Sequence, residues 1–157
     1  MMARMVKYTT KLTNNKRVVL EKEIAINYPE QTFVIKSPDD AARVGKDYIR
    51  INEESEEYMH MLCLNTKNKV IGIFEISHGS VNSSIVGARE VFQKALLANA
   101  VSIILLHNHP SGDPNPSRED IEVTKRLVEA GKILGVEVLD HLVMGDWYVS
   151  LKEKGYV

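Results

Sequence analysis

Two histidines and an aspartate, His107, His109 and Asp120, stand close enough in the chain to hold a metal ion together. The stretch reads His107-Asn108-His109-Pro110-Ser111-Gly112-Asp113-Pro114-Asn115-Pro116-Ser117-Arg118-Glu119-Asp120. The apolar run Val101-Ser102-Ile103-Ile104-Leu105-Leu106 precedes it and predicts a buried strand. Side chains alternate along a strand, so His107 and His109 leave its end on the same face. The prolines and the glycine that follow force a loop. Ser117 then stands as the N-cap of a helical pattern, with Asp120 in the first turn. Taken alone, Ser117 and Asp120 make a capping box, and a His-x-His pair is a common polar strand end. Ligand types, a shared face, a stiff loop and a helix start within 14 residues favour a metal instead. Three protein ligands with one position open is the arrangement of a catalytic zinc site, so the segment reads as a metallohydrolase.

The pattern His107-x-His109-Pro110, six further residues, then Ser117-x-x-Asp120 resembles the JAMM metalloprotease signature of JAB/MPN domains. The wording His-Asn-His-Pro-Ser-Gly-Asp-Pro resembles the bacterial RadC branch of that family. Gly79-Ser80, Ala88-Arg89-Glu90-Val91-Phe92, Asp140-His141 and Ser150-Leu151 agree with the same branch. The resemblance covers residues 37–157. It implies a zinc-dependent hydrolase of an amide or isopeptide bond, acting on a peptide or protein substrate. The ligand types also suit Zn2+ well.

Such a hydrolase needs a proton shuttle, because a metal lowers the pKa of water towards ~7 and a nearby carboxylate must take and return the proton. Glu56, Glu57 and Glu75 are candidates that the residues alone do not separate. A one-residue slip on a strand would turn Glu56 to the opposite face from Glu57. The family carries a glutamate immediately before the first long apolar strand of the domain. Glu57, followed by Tyr58-Met59-His60-Met61-Leu62, stands in that place, and the resemblance therefore implies Glu57 as general base. It also implies that Ser117, besides capping the helix, hydrogen-bonds the oxyanion. Asp113, between Gly112 and Pro114, reads as turn chemistry. Asp140 and His141 read as structural hydrogen-bonding groups in preference to one of them orienting a ligand imidazole, and His60 and His78 have no companions at ligand spacing.

The elements that must position these groups follow from periodicity. Residues 5–26 alternate around Asn14-Asn15 and predict a β-hairpin, with the positive φ of a tight turn on the asparagines. Ser37 caps a helix with Pro38 at its first position, running to about Ile51 and burying Ala41, Val44, Tyr48 and Ile51. Strands over Tyr58–Leu64 and Val70–Ile76 make a hairpin about the turn at Asn65–Lys69. Helices are expected over Ala88–Ala98 and Arg118–Leu134, the second burying Ile121, Thr124, Leu127, Val128 and Leu134 and stopped by Gly135. Strands over Val136–Val143 and Trp147–Leu151 close the chain. The fold class is α/β: a mixed sheet sandwiched by helices, in the deaminase-like fold that the JAB/MPN resemblance implies. The expected division is a β-hairpin extension at 1–36 and a RadC-type JAB/MPN domain at 37–157.

Composition narrows the function classes. With 20 Lys and Arg against 21 Asp and Glu, the net charge of −1 supplies no global field for nucleic acid or an anionic membrane. Hydrophobic residues at 44% and charged residues at 26% are an ordinary globular balance. One cysteine, Cys63, in an apolar stretch excludes a disulfide framework and favours a reducing compartment. No apolar run nears the ~20 residues that span a bilayer, and the first residues carry no signal-peptide core; a cytoplasmic protein is expected. A zinc deaminase is the first rival, but its His-x-Glu and Cys-x-x-Cys ligands need cysteines this chain lacks. The remaining alternatives are a DNA-repair-associated RadC module that binds or cleaves nucleic acid, and a non-catalytic metal-binding domain. No clustered basic segment supports phosphate contacts, and residues 1–36 hold no counterpart of the helix-hairpin-helix segment that often precedes RadC domains.

Overall fold

A computed structural model describes residues 2–29, 33–80 and 86–157. The chain runs β1 (Met2–Leu12), β2 (Val18–Pro29), α1 (Pro38–Arg43), β3 (Tyr58–Leu64), β4 (Val70–His78), α2 (Ala88–Leu97), β5 (Ser102–Asn108), α3 (Arg118–Leu134), β6 (Glu137–Met144) and β7 (Tyr148–Ser150). The seven strands form one mixed sheet in the order β2-β1-β4-β3-β5-β6-β7. β5 lies in its middle half, antiparallel to β3 and parallel to β6. Side-chain alternation along β5 sends Ile104 and Leu106 to one face, where Ala41, Val44 and Ile51 pack. Ile103 and Leu105 go to the other face and meet Val91, Phe92 and Ala95 of α2 and Val123 and Leu127 of α3. The sheet is thus covered on both faces, as the α/β sandwich requires. Continuing the same alternation, His107 emerges on the α2/α3 side.

The hairpin of β1 and β2 adds two strands to one side of the sheet, β1 pairing parallel with β4 at Lys7 and Ile73. Its turn is centred one residue later than the asparagine pair suggests. The positive φ of 60° falls on Lys16, and Thr13 and Arg17 close the turn through a 2.9 Å backbone hydrogen bond.

Two helices differ from the periodicity reading. The helix from Pro38 keeps its capping box but does not stay α-helical to Ile51. It widens into a π-helical segment at Val44–Ile49, breaks at Arg50 with φ 60°, and ends in a 3-10 turn at Ile51–Glu53. The widening buries Gly45 beside β5, where a Cβ would sit 3.2 Å from Leu106 Cδ1. Tyr48 is left half-buried, and its ring stacks edge-on to Phe33. The second difference is one of phase. α3 has the expected bounds, but it buries Asp120, Val123, Thr124, Leu127 and Gly131. Ile121 and Val128 are only half-buried, and Leu134 is exposed. Turning the helix so that Asp120 faces the sheet fixes this stripe, because 123, 124, 127 and 131 lie on the same side at helical spacing. Among the described residues, no helix is long and apolar enough to cross a membrane. Cys63 is fully buried, and burial pushes its thiol up to about 12.

Candidate metal centre

The end of β5, the loop after it and the start of α3 bring the polar groups together. Glu57, His107 and His109 present ligand atoms that all lie within 4.8 Å of one another. Asp120 sits against both imidazoles, with Oδ1 3.2 Å from His107 Nδ1 and Oδ2 3.3 Å from His109 Nε2. Glu57 Oε2 is 3.4 Å from His107 Nε2. The four side chains therefore form one cluster at the edge of the α2/α3 layer. His107 and Asp120 are each 1% exposed, and His109 and Glu57 are partly open to solvent. That gradient places the inner donors in protein and leaves an approach from outside.

Local structure explains each placement. Ser117 accepts a hydrogen bond from the Asp120 backbone N–H at 3.1 Å, and Ser117 N–H donates to Asp120 Oδ2 at 2.7 Å. This capping box orients the carboxylate rather than competing with the cluster, since it engages Oδ2 and turns Oδ1 towards His107. The loop from His109 is pinned onto the β6–β7 turn. His109 N–H donates to Met144 O at 2.8 Å, and Asp146 N–H donates to Gly112 O at 2.7 Å. Two glycines permit that closeness: Gly112 has φ +88°, and a Cβ on Gly145 would lie 2.3 Å from Gly112 O. Asp113 serves the loop, its Oδ1 accepting from Asn115 N–H at 3.0 Å. Its backbone oxygen lies 2.8 Å from His109 Nδ1. With that nitrogen donating, Nε2 is left with its lone pair in the cluster.

The electrostatics fit a cation. Buried polar atoms normally find partners, yet His107 Nδ1, His107 Nε2 and Asp120 Oδ1 are buried without a hydrogen bond. His107 Nδ1 and Asp120 Oδ1 are close enough for one, but they are not aligned to make it. Burial works against ionisation of Asp120, but the His107 and His109 imidazoles lying against it and the Ser117 N–H bonded to it outweigh that and hold the carboxyl well below its usual range. The same contact, Asp120 on His109, raises the imidazole above 6.5 despite partial burial. Two imidazoles and one or two carboxylates with unsatisfied lone pairs are a donor set that suits a borderline divalent ion.

The other acidic candidates point elsewhere. Glu56 pairs with His78, whose ring stacks on Tyr58. Glu75 pairs with Lys7 at 3.6 Å on the hairpin side. Asp140 is structural: it accepts from Ser150 Oγ at 2.7 Å and from the backbone of His141 and Lys152, bracing β6 against the residues after β7. His60 lies on the opposite face, where burial pushes it down to about 4. Asn108 was not foreseen in any role. Its Oδ1 accepts from Tyr58 N–H at 2.6 Å and its Nδ2 donates to Glu56 O at 2.9 Å. The amide therefore clamps the backbone on both sides of Glu57, and Gly79 N–H holds the Glu57 carbonyl at 2.8 Å. An amide side chain closing an otherwise apolar strand, between two histidines, was the available signal.

Comparison with known proteins gives the family. The family description "RadC-like JAB domain" matches residues 35–156. A UPF0758 protein of Caldanaerobacter subterraneus is 52% identical over 140 residues, covering 88% of this chain and 59% of its own. UPF0758 protein YsxA of Bacillus subtilis is 55% identical over 129 residues, covering 82% of this chain and 55% of its own. A UPF0758 protein of Alkaliphilus metalliredigens is 53% identical over 138 residues, 87% of this chain and 59% of its own. The chain thus spans rather more than half the length of these curated relatives.

The clamp on Glu57 is testable by itself. Asn108→Ala leaves the Tyr58 N–H and the Glu56 carbonyl without their partner, which should cost about 1–3 kcal/mol. Urea denaturation reads this as a lower midpoint at unchanged slope; an unchanged midpoint would show that water replaces the amide.

Proposed function

The chain belongs to the RadC-like JAB domain family, and on that premise we propose that it is a zinc-dependent hydrolase of amide or isopeptide bonds in a peptide or protein substrate. The observation that carries the reading is the convergence of Glu57, His107, His109 and Asp120 with buried, unpartnered donor atoms among them. His107, His109 and Asp120 would hold the ion. When bound, zinc supplies a Lewis acid that acidifies water and polarises a carbonyl.

The chain's own residues do the rest. Glu57 is the general base: its carboxylate lies at the open side of the cluster, 34% exposed, where it can take a proton from water and later return it to the departing amine. Asn108 fixes the backbone from which Glu57 projects. Ser117 is exposed, and its Oγ already accepts from Asp120 N–H, so its hydroxyl proton is available to a developing oxyanion. The Asp120 carboxylate stays ionised, and His109, oriented through its Nδ1, offers Nε2 inward.

Glu57→Gln should retain the metal and lose hydrolysis of an isopeptide-linked reporter by at least about 100-fold, since general acid–base groups contribute 10²–10⁴-fold. Full activity in that variant would remove Glu57 from the mechanism. A proton effect follows from the raised His109. Because Asp120 strengthens the hold of His109 on its proton, protons compete with the metal from a pH above the ordinary imidazole value. Zinc affinity should fall with pH, by about tenfold per unit for each proton displaced, as read by chelator competition from pH 8 downward. An affinity flat between pH 8 and pH 6 would contradict histidine ligation.

A further inference from the structure

We propose that His141 and Thr124 form a positioning relay that sets Asp120 against the two histidines; the inference rests on the metal site of the preceding reading. His141 is fully buried in β6, where it pairs with Leu105 of β5, two residues before His107. Its ring centroid is 6.2 Å from that of His107, on the same side of the sheet. His141 Nδ1 lies 2.6 Å from Thr124 Oγ1 in α3, and Thr124 Oγ1 donates to the carbonyl oxygen of Asp120 at 2.6 Å.

Proton counting fixes the direction of the relay. A hydroxyl carries one proton, and that of Thr124 goes to Asp120 O, so the proton between His141 and Thr124 must come from Nδ1. A threonine bonding back to the carbonyl four residues earlier is ordinary in helices. A buried imidazole donating into that threonine from another element is not. It ties β6 to the first turn of α3 at the residue whose carboxylate contacts both His107 and His109. The tether also carries a penalty. With Nδ1 donating, Nε2 keeps a lone pair, and that atom is buried without a partner. An unpartnered buried nitrogen costs stability, so an apolar residue would serve packing better at this position. Its place beside the cluster accounts for the imidazole: orienting groups behind metal-binding side chains typically change metal affinity by about 10–100-fold when removed.

The test measures Zn2+ affinity by chelator competition, and the visible spectrum of the Co2+ form, in wild type, His141→Phe, Thr124→Val and Thr124→Ser. Unfolding of each protein is followed in parallel in the presence of excess chelator. The relay predicts that His141→Phe and Thr124→Val each weaken zinc roughly 10–100-fold and shift the cobalt bands, while Thr124→Ser, which keeps the hydroxyl, restores both. The double variant should be no worse than the weaker single, because the two residues act in one chain. Thr124→Val is nearly isosteric and guards against a variant of His141 that fails to fold. If wild type binds zinc and both variants bind it as tightly, with only metal-free stability lowered, His141 is structural and the relay is overturned. Additive losses in the double variant would overturn it equally. A wild type that binds neither ion overturns the metal reading, and the relay falls with it.

Discussion

The structure depends on one buried carboxylate. Asp120 is 1% exposed, and an isolated charge in that position would be prohibitively costly. It is tolerated because positive or hydrogen-bonding groups meet it from three directions: His107 and His109 across the gap and the Ser117 N–H behind. Each of those partners constrains an element. The histidines fix where β5 must end, Ser117 fixes where α3 must begin, and the loop between them must return within hydrogen-bond reach of the β6–β7 turn. The phase of α3 follows from the same demand, since turning Asp120 inward places Val123, Leu127 and Gly131 on the sheet.

The sheet supplies the rigid frame for that arrangement. β5 is covered on both faces, and its apolar side chains Ile103 to Leu106 are 3% exposed or less. A strand held this firmly presents His107 and His109 from a fixed backbone, while Glu57 stands immediately before β3 alongside it. The Asn108 amide spans the two strands at that point. The working groups therefore sit on a strand end, a strand start and a helix start, rather than on a free loop, which limits how far each can drift. The hairpin of β1 and β2 lies three and four strands from β5 in the sheet order, and among the described residues it contributes no side chain to the cluster.

Much of this was legible in the residues. Strand and helix bounds followed from apolar periodicity, and the His-x-His spacing with the Ser117 cap placed the polar groups on their elements. What escaped was set by contacts distant in sequence. The widening of the helix after Arg43 accompanies the burial of Gly45 beside Leu106, a contact that no local pattern around residue 45 reveals. The buried stripe of α3 was misread because a purely hydrophobic count favours Ile121 and Leu134, whereas the carboxylate of Asp120 decides the rotation. Positive φ at Lys16 rather than at the asparagines reflects hairpin register. Choosing Glu57 over Glu56 and Glu75 required the family pattern; in the fold Glu57 lies against His107, while Glu56 turns to His78 and Glu75 to Lys7. The tie from His141 to Thr124 joins residues 17 apart, and no local pattern marks Thr124 as the partner.

These relationships all assume that the cluster is built for a cation. The most direct measurement is isothermal titration of the chelator-treated protein with zinc at neutral pH, beside His109→Ala. One equivalent bound tightly by the wild-type chain, and lost in the variant, is the result this account predicts. A wild-type chain that binds no zinc, or binds it as tightly without His109, would contradict it.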